Sequence, residues 1–457
     1  MRNSDSHHDH CAHGHAAHAP APDAALAYQR AYQAGEPAPG GKVVSFDLEA
    51  REVEWEFVPG RKTRAWGYNG QVPGPVIEAN AGDVLEVRLK NSLPEPTTIH
   101  WHGLRLPAAM DGTENVQHPI PPGETFTYRF ALPDAGTFWY HPHSNETVQL
   151  ERGLYGALIV RGADEPALDA ERVLVLDDIA LDRKGQIKPP GGFVERHDGR
   201  LGSMLLVNGR EQPELSMAAG QVERWRVVNA ASARYVRLSI GGRPFRLLGT
   251  DGGLVPAPVP MTEVLLAPAD RVDIAVGPFA EGETLAIEAL PYAQGSMARP
   301  RRLRYGTVRV GAAAPSRASI PERLREIVPL VTGPVTPTRE VHLGFKMTLR
   351  RGVEFTINRE LHHRADPVRV GELQVWDIVN GTKMDHPFHL HGFFFQVLEV
   401  NGEPPAFLSW EDTVTIPPSG RVRIAWMPDD RPGEWMYHCH ILEHHAGGMM
   451  AHFEVVR

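Results

Sequence analysis

The chain has 457 residues, room for about three domains at the usual domain size, and is 42% hydrophobic and 23% charged with 44 Gly and 40 Pro. That composition excludes a disordered, collagenous or coiled-coil chain. The net charge of −9 comes without a basic stripe that could neutralise phosphates, and no apolar run reaches the roughly 18 residues of a membrane-spanning helix, so neither nucleic acid nor membrane is expected as a partner.

In chain order, residues 1–40 form a His-rich tail carrying His7, His8, His10, His13, His15, His18 and Cys11 among Ala, Pro and Gly. It reads as a solvated, flexible extension, with metal binding as the alternative. It has no continuous apolar segment with a small-residue cleavage site behind it, so no secretory signal is visible. The only other cysteine is Cys439, so there is no disulfide framework and cysteine usage leaves the compartment open. Short β-type runs bounded by Gly, Pro, Asn and Asp follow; Val84 to Leu89 alternates with period two. This pattern predicts an all-β chain of sandwiches, divided as 41–163, 170–312 and 335–457. The Arg161–Pro166 stretch and the Ala/Pro/Ser-rich stretch from Ala312 to Arg339 serve as linkers, the second with a short helix expected over Ile320–Leu324.

An internal repeat supports three units. Asn69, Asn208 and Asn358 each precede a glycine (Gly82, Gly220, Gly371) by 12 or 13 residues, and each glycine is followed nine residues later by Asn91, Asn229 or Asn380. Counting nine and eleven residues on reaches His100 and His102 in the first repeat and His389 and His391 in the third, but Leu238 and Ile240 in the second. A second register aligns His141-Pro142-His143 with His438-Cys439-His440. The outer repeats therefore carry matching halves of one site, and the middle repeat is structural or substrate-shaping.

On a strand, residues i and i+2 share a face, so each His-x-His pair offers two imidazoles to one side. Eight imidazoles converging between the outer units are too many for one tetrahedral zinc and suit a small cluster of an imidazole-loving metal, copper above all. Cys439 points away from His438 and His440, where it can join His386, His444 and a downstream Met in the ligand set of a blue-copper centre. Its covalent bonds to both flanking histidines give an electron a short route to the cluster. In the first repeat the corresponding positions are Thr97, Pro142 and Thr147, so one such centre per chain is expected.

These motifs, His100-Trp101-His102-Gly103, His141-Pro142-His143, His386 to Gly392 and His438 to His444, resemble the four copper motifs of the three-domain, laccase-like multicopper oxidases from about residue 42 to the C-terminus. The resemblance implies three cupredoxin-like Greek-key sandwiches and four copper ions. Type 1 copper would be held by His386, Cys439, His444 and axial Met449, with Met450 competing for the axial place. Type 2 copper would be held by His100 and His389. The type 3 pair would use His102, His141 and His440 on one ion and His143, His391 and His438 on the other. The implied reaction is four one-electron oxidations of a small-molecule donor, a phenol, aromatic amine or similar compound, coupled to reduction of dioxygen to two waters, in a monomer. Cys439, His438, His440 and Asp111 are the residues expected to carry the electron and proton traffic, Asp111 through its resemblance to the family's acidic residue near type 2 copper. Many bacterial relatives have an acid directly after the last type 1 histidine; His445 stands there, as either a proton shuttle or a surface residue. No Met cluster lies between Gly352 and Asn401, which disfavours a dedicated cuprous oxidase. A Cu(I) or Fe(II) metallo-oxidase is the alternative function, and a non-catalytic copper scaffold a third. Family members are commonly periplasmic or secreted.

Overall fold

The computed structural model describes residues 38 and 40–457 apart from 296 and 349–351; the histidines and Cys11 of the tail lie outside the described residues. Among the described residues, strands form six sheets that pair into three sandwiches, as the alternating runs predict. In the first, the sheet of Val43–Val58, Arg61–Tyr68, Val84–Ser92 and Thr125–Ala131 faces the sheet of Ile77–Asn80, His100–His102, Gly136–His141 and Gly156–Arg161. Along Val84–Ser92 the residues Val87 and Leu89 are buried while Arg88 and Lys90 are exposed, which is how period two converts into one wet and one dry face. The middle sandwich joins a seven-stranded and a five-stranded sheet, and the third a five-stranded and a six-stranded one.

The repeated residues have a shared physical job. Asn69, Asn208 and Asn358 all adopt positive φ (53°, 50° and 50°), and Gly82, Gly220 and Gly371 do so at 94°, 78° and 76°, so the repeat marks left-handed turns between strands. Asn91, Asn229 and Asn380 are buried and act as staples. The Asn91 amide donates to the carbonyls of Glu95 and Ile120, that of Asn229 to Arg234 and Leu266, and that of Asn380 to Met384 and Ile416. Each staple fixes the segment leading into the next strand, which in the outer repeats is a histidine strand. Leu238 and Ile240, the counterparts in the middle repeat, are core residues packed with Trp225 and Ile287.

The first sandwich's core continues into the third through Leu373, Val375, Phe394 and Ala425, so these two units are pressed together by apolar burial. Burying a side chain of that size contributes about 1.5–3 kcal/mol. The Ile320–Leu324 helix does not form; the segment is irregular. Pro321 disfavours helix, and the backbone finds partners elsewhere: the Leu324 amide donates to the Pro256 carbonyl and the Leu330 amide to the Gln396 side chain. Ile327 and Leu330 belong to the first sandwich's core, so this stretch clasps the units rather than merely linking them.

Candidate metal centre

Register brings the histidines together. The His100–His102 strand pairs antiparallel with Gly136–His141, setting His100 opposite His141, and the His386–Leu390 strand pairs with Gly433–Cys439, setting His389 opposite His438. The interleaved Trp101 and Leu390 are buried in the cores of their own sandwiches. Across the seam the rings of His102 and His389 stack at 3.8 Å, and those of His100 and His391 lie 4.0 Å apart. All eight imidazoles of the four His-x-His pairs are buried.

Seven of the eight rings have one nitrogen anchored outward. Nδ1 of His100, His141, His389 and His438 faces the carbonyl of Asp111, Pro142, Asp412 and Cys439, each at 2.9 Å. Nδ1 of His391 lies 2.8 Å from Asp111 Oδ2 and that of His143 2.7 Å from Glu146 Oε1. His102 is reversed: its Nε2 lies 3.0 Å from Asp412 Oδ1. The second nitrogens, Nε2 of His100, His141, His143 and His389 and Nδ1 of His102, are buried without a hydrogen-bond partner, as are both nitrogens of His440. Nε2 of His391 and of His438 approach each other at 3.0 Å. One anchored and one orphaned nitrogen is the arrangement of metal-ligating histidines, and orphaned polar atoms at this density would otherwise cost roughly 1–3 kcal/mol each. Burial, reinforced by neighbouring rings, holds His102, His141, His391, His438 and His440 well below the usual histidine range, which keeps them in the neutral form that binds metal.

Ligand atoms of His143, His391 and His438, one of the sets expected from the sequence, lie within 4.8 Å of one another. The rings of His102, His141 and His440, the second set, lie 5.1 to 5.7 Å apart. His100 and His389 group with His391.

The thiol site is separate and fully buried. Cys439 Sγ lies 3.4 Å from His386 Nδ1 and 3.6 Å from His444 Nδ1, which are 3.3 Å from each other. The centre of such a triangle is ~2.0 Å from each corner, close to a metal–nitrogen bond length. The outer nitrogens fix the tautomers, with His386 Nε2 2.8 Å from Thr382 Oγ1 and His444 Nε2 donating to the His197 carbonyl at 2.9 Å. Burial lowers His386 to about 3 and raises the Cys439 thiol far above its ordinary value, so a cation at the centre is what would make a thiolate there. Met449 is buried in the same cluster as Cys439, and its carbonyl accepts from the Cys439 amide at 3.1 Å. Met450 instead lines a cavity of ≈ 380 Å³ beside His143 and His445. In the first repeat Thr97 Oγ1 bonds Gln149, and no thiol site is formed there.

His445 is not a surface residue. It is 6% exposed, stacks on His438 at 4.3 Å, and its Nδ1 lies 2.6 Å from Glu146 Oε2. Burial alone would raise the Glu146 carboxyl, but His143 and His445 hold it well below the usual range. The sequence reading missed Glu146, although the repeat aligns His143-Ser144-Asn145-Glu146 with His440-Ile441-Leu442-Glu443. It also missed Asp412 and Arg271. Arg271, from the middle unit, is fully buried where all three units meet. It donates to the carbonyls of Thr137, Ala269 and Asp251, lies 3.1 Å from Asp251 Oδ1, and grips both Asp412 oxygens. Burial would raise Asp412, but Arg271 and His102 hold it well below the carboxylate range. A Cβ on Gly103 would collide with both Arg271 and Asp412, so the glycine after His102 is there for clearance. No sequence pattern marks Asp412 or Arg271, because their role depends on packing between units.

Family models described as multicopper oxidase match residues 49–165, 179–291 and 334–457. The chain is 31% identical to multicopper oxidase MmcO of Mycobacterium tuberculosis, over 85% of this chain and 82% of that one. It is 28% identical to a laccase of Bacillus subtilis, over 86% and 90% of the two chains. Among solved structures, the Campylobacter jejuni multicopper oxidase described as a metallo-oxidase aligns with a TM-score of 0.81 at 32% identity, covering 93% of this chain and 98% of that one.

Proposed function

This chain belongs to the multicopper oxidase family, and from that premise we propose that it is a laccase-like oxidase with four coppers that removes single electrons from small-molecule donors and delivers them to dioxygen. The observation that carries this reading is the set of buried imidazoles with one nitrogen anchored and the other orphaned, beside a buried Cys-His-His triangle. Type 1 copper would be held by His386, Cys439 and His444 with Met449 as the further ligand; type 2 copper would be held by His100 and His389, and the type 3 pair by His102, His141 and His440 and by His143, His391 and His438. Bound copper supplies one-electron redox chemistry and the reduction of dioxygen to two waters, which takes four electrons and four protons.

The residues do the rest. Cys439 offers the electron covalent routes through its peptide bonds to His438 and His440, and a third through the hydrogen bond from His438 Nδ1 to its own carbonyl. Asp111 orients His100 through its carbonyl and His391 through its carboxylate; Asp412 does the same for His389 and His102. Glu146 and His445 line the ≈ 380 Å³ cavity together with His143, and this is the side from which water and protons reach the cluster. All ligands come from one chain, so a monomer completes the site.

Donors in this reading are phenols, aromatic amines and similar compounds. A non-catalytic scaffold is disfavoured, since every expected ligand is present and buried. The test is copper content, visible spectrum and oxygen consumption across a donor panel for the copper-loaded protein. About four ions per chain, a blue thiolate band and oxygen uptake are expected; a colourless protein that consumes no oxygen with any donor would refute the proposal.

A further inference from the structure

Three side chains around the ≈ 380 Å³ cavity, Met436, Met450 and His452, take no part in electron transfer or dioxygen reduction, and their chemistry is that of soft-metal ligands. The strands Gly433–Cys439 and Met450–Val456 pair antiparallel, with Met436 opposite His452 and His438 opposite Met450. Residues two apart on a strand share a face, so these four side chains form two adjacent rungs, with Cβ atoms about 4.5–5.5 Å apart within each rung. The inner rung holds the cluster ligand His438 and Met450. The outer rung, one step further from the cluster, holds Met436 and His452.

The nitrogen donors are available. His452 Nδ1 is buried without a hydrogen-bond partner, and so is Nε2 of His445, which is itself buried and lines the same cavity. An orphaned buried nitrogen costs roughly 1–3 kcal/mol unless something binds it. Burial lowers His452 to about 4, so its ring is neutral and able to ligate a metal at ordinary pH. A methionine in a core usually fills an irregular gap. Here two thioethers border an open cavity, Met436 buried and Met450 partly exposed. The lining grades from solvent to cluster: Glu114, Asn145 and His362 are exposed, while His143, Glu146 and His445 are buried. Carboxylates at both ends favour entry of a cation. Thioether with neutral imidazole is a soft set that suits Cu(I), and a passage for water alone needs neither thioether.

We propose that this cavity is a loading site through which copper enters the cluster: a cuprous ion binds first to His452 and Met436 and passes by Met450 to His143 and His438. This rests on the reading of the eight paired histidines as copper ligands. Passage is ligand exchange, in which imidazole and thioether give way to imidazoles one rung further in, and no electron changes hands. His445 stands beside that step, stacked on His438 at 4.3 Å with its Nε2 unpartnered. The Cys439 site is filled by another way, since His386, Cys439 and His444 do not line the cavity. Loading of the two centres is therefore separable.

Two measurements on the full chain test it. Silver(I), which shares the charge and softness of Cu(I) and passes no electron to the protein, is soaked into crystals of the copper-loaded chain and located by anomalous diffraction. A silver ion bound by His452 and Met436 is expected, and a cavity without silver would overturn the proposal. In the second measurement, copper-free protein is mixed with Cu(I) under argon, unbound copper is removed with a chelator at each time point, and air is admitted. The blue band then reads filling of the Cys439 site, and copper content with the type 2 electron paramagnetic resonance signal reads filling of the cluster. In His452→Gln and in Met436→Leu the cluster should fill more slowly by about tenfold or more, since loss of a group supporting a metal site typically costs about 10–100-fold, while the blue band appears at the wild-type rate. Cluster filling at the wild-type rate in both variants would overturn the proposal, as would equal slowing of both centres, which is what a general loss of fold produces. If neither variant folds, the silver position in the wild-type crystal decides alone. A wild-type chain whose paired histidines take up no copper at any time would instead overturn their assignment as ligands, and the loading route with it.

Discussion

Replacing Arg271 with Met tests how the ligand-free middle unit supports the cluster. Arg271 is fully buried and its contacts span the first unit at Thr137, the middle unit at Ala269 and Asp251, and the third at Asp412. Met fills much of the volume but leaves Asp412 without a cation, and Asp412 holds both His102 Nε2 and, through its carbonyl, His389 Nδ1. Removing one partner of a buried pair costs about 3–5 kcal/mol. With a urea slope of up to about 3 kcal/mol per M, the unfolding midpoint should fall by about 1 M or more. Loss of an anchoring group typically weakens metal affinity or activity by about 10–100-fold, so copper should be lost from the cluster before it is lost from the Cys439 site. The assay is urea unfolding followed by tryptophan fluorescence, with copper content and the type 2 electron paramagnetic resonance signal measured on the same samples. Arg271→Lys keeps the charge but not the fork and should fall between the two. A variant with unchanged midpoint, full copper and an unaltered type 2 signal would refute the reasoning.

Other expectations follow from single contacts. Cys439→Ser should abolish the blue band and donor oxidation while the cluster keeps its copper, measured as about three ions per chain; a variant that stays blue would contradict the assignment. Glu146→Gln removes the charge that orients His143 and His445, and oxygen-dependent turnover should drop by about tenfold or more with the blue band unchanged. Gly103→Ala places a methyl against Arg271 and Asp412 at a residue with φ of 88°, so it should destabilise the protein by about 1–3 kcal/mol in urea unfolding, and a neutral result would count against the clearance argument. Asn380→Ala removes donors to Met384 and Ile416 just before His386 and should cost about 1–3 kcal/mol, lowering copper retention at the Cys439 site.

What could be read from the residue order was whatever recurs at fixed spacing. The Asn and Gly positions recur because each sandwich needs the same left-handed turns and the same buried amide staple, and the histidines inherit their register from those staples. Period-two alternation revealed the strands for a similar local reason. Groups that work across units were invisible. Asp412 and Arg271 are far apart in the chain and carry no local pattern, and the Phe193–Asp198 helix could not be linked to His444 before the middle and third units were placed together. Glu146 was legible in principle, since Glu443 occupies the matching place after His440; the two have diverged, one pairing with histidines and the other with Arg200. His445 followed the same logic, its burial being set by the first unit's Glu146. The Ile320–Leu324 stretch went the other way, Ile320 and Leu324 being drawn onto Leu248 and Val255 of the middle sandwich and not into a helix of their own.

The central claim is that two outer sandwiches share one imidazole cluster while the third alone carries a thiolate centre. Anomalous diffraction at the copper edge from crystals of the copper-loaded chain tests it most directly. One isolated peak within the His386, Cys439 and His444 triangle and three clustered peaks among the eight paired histidines are predicted. Copper confined to one sandwich, or a peak pattern lacking the Cys439 site, would contradict it.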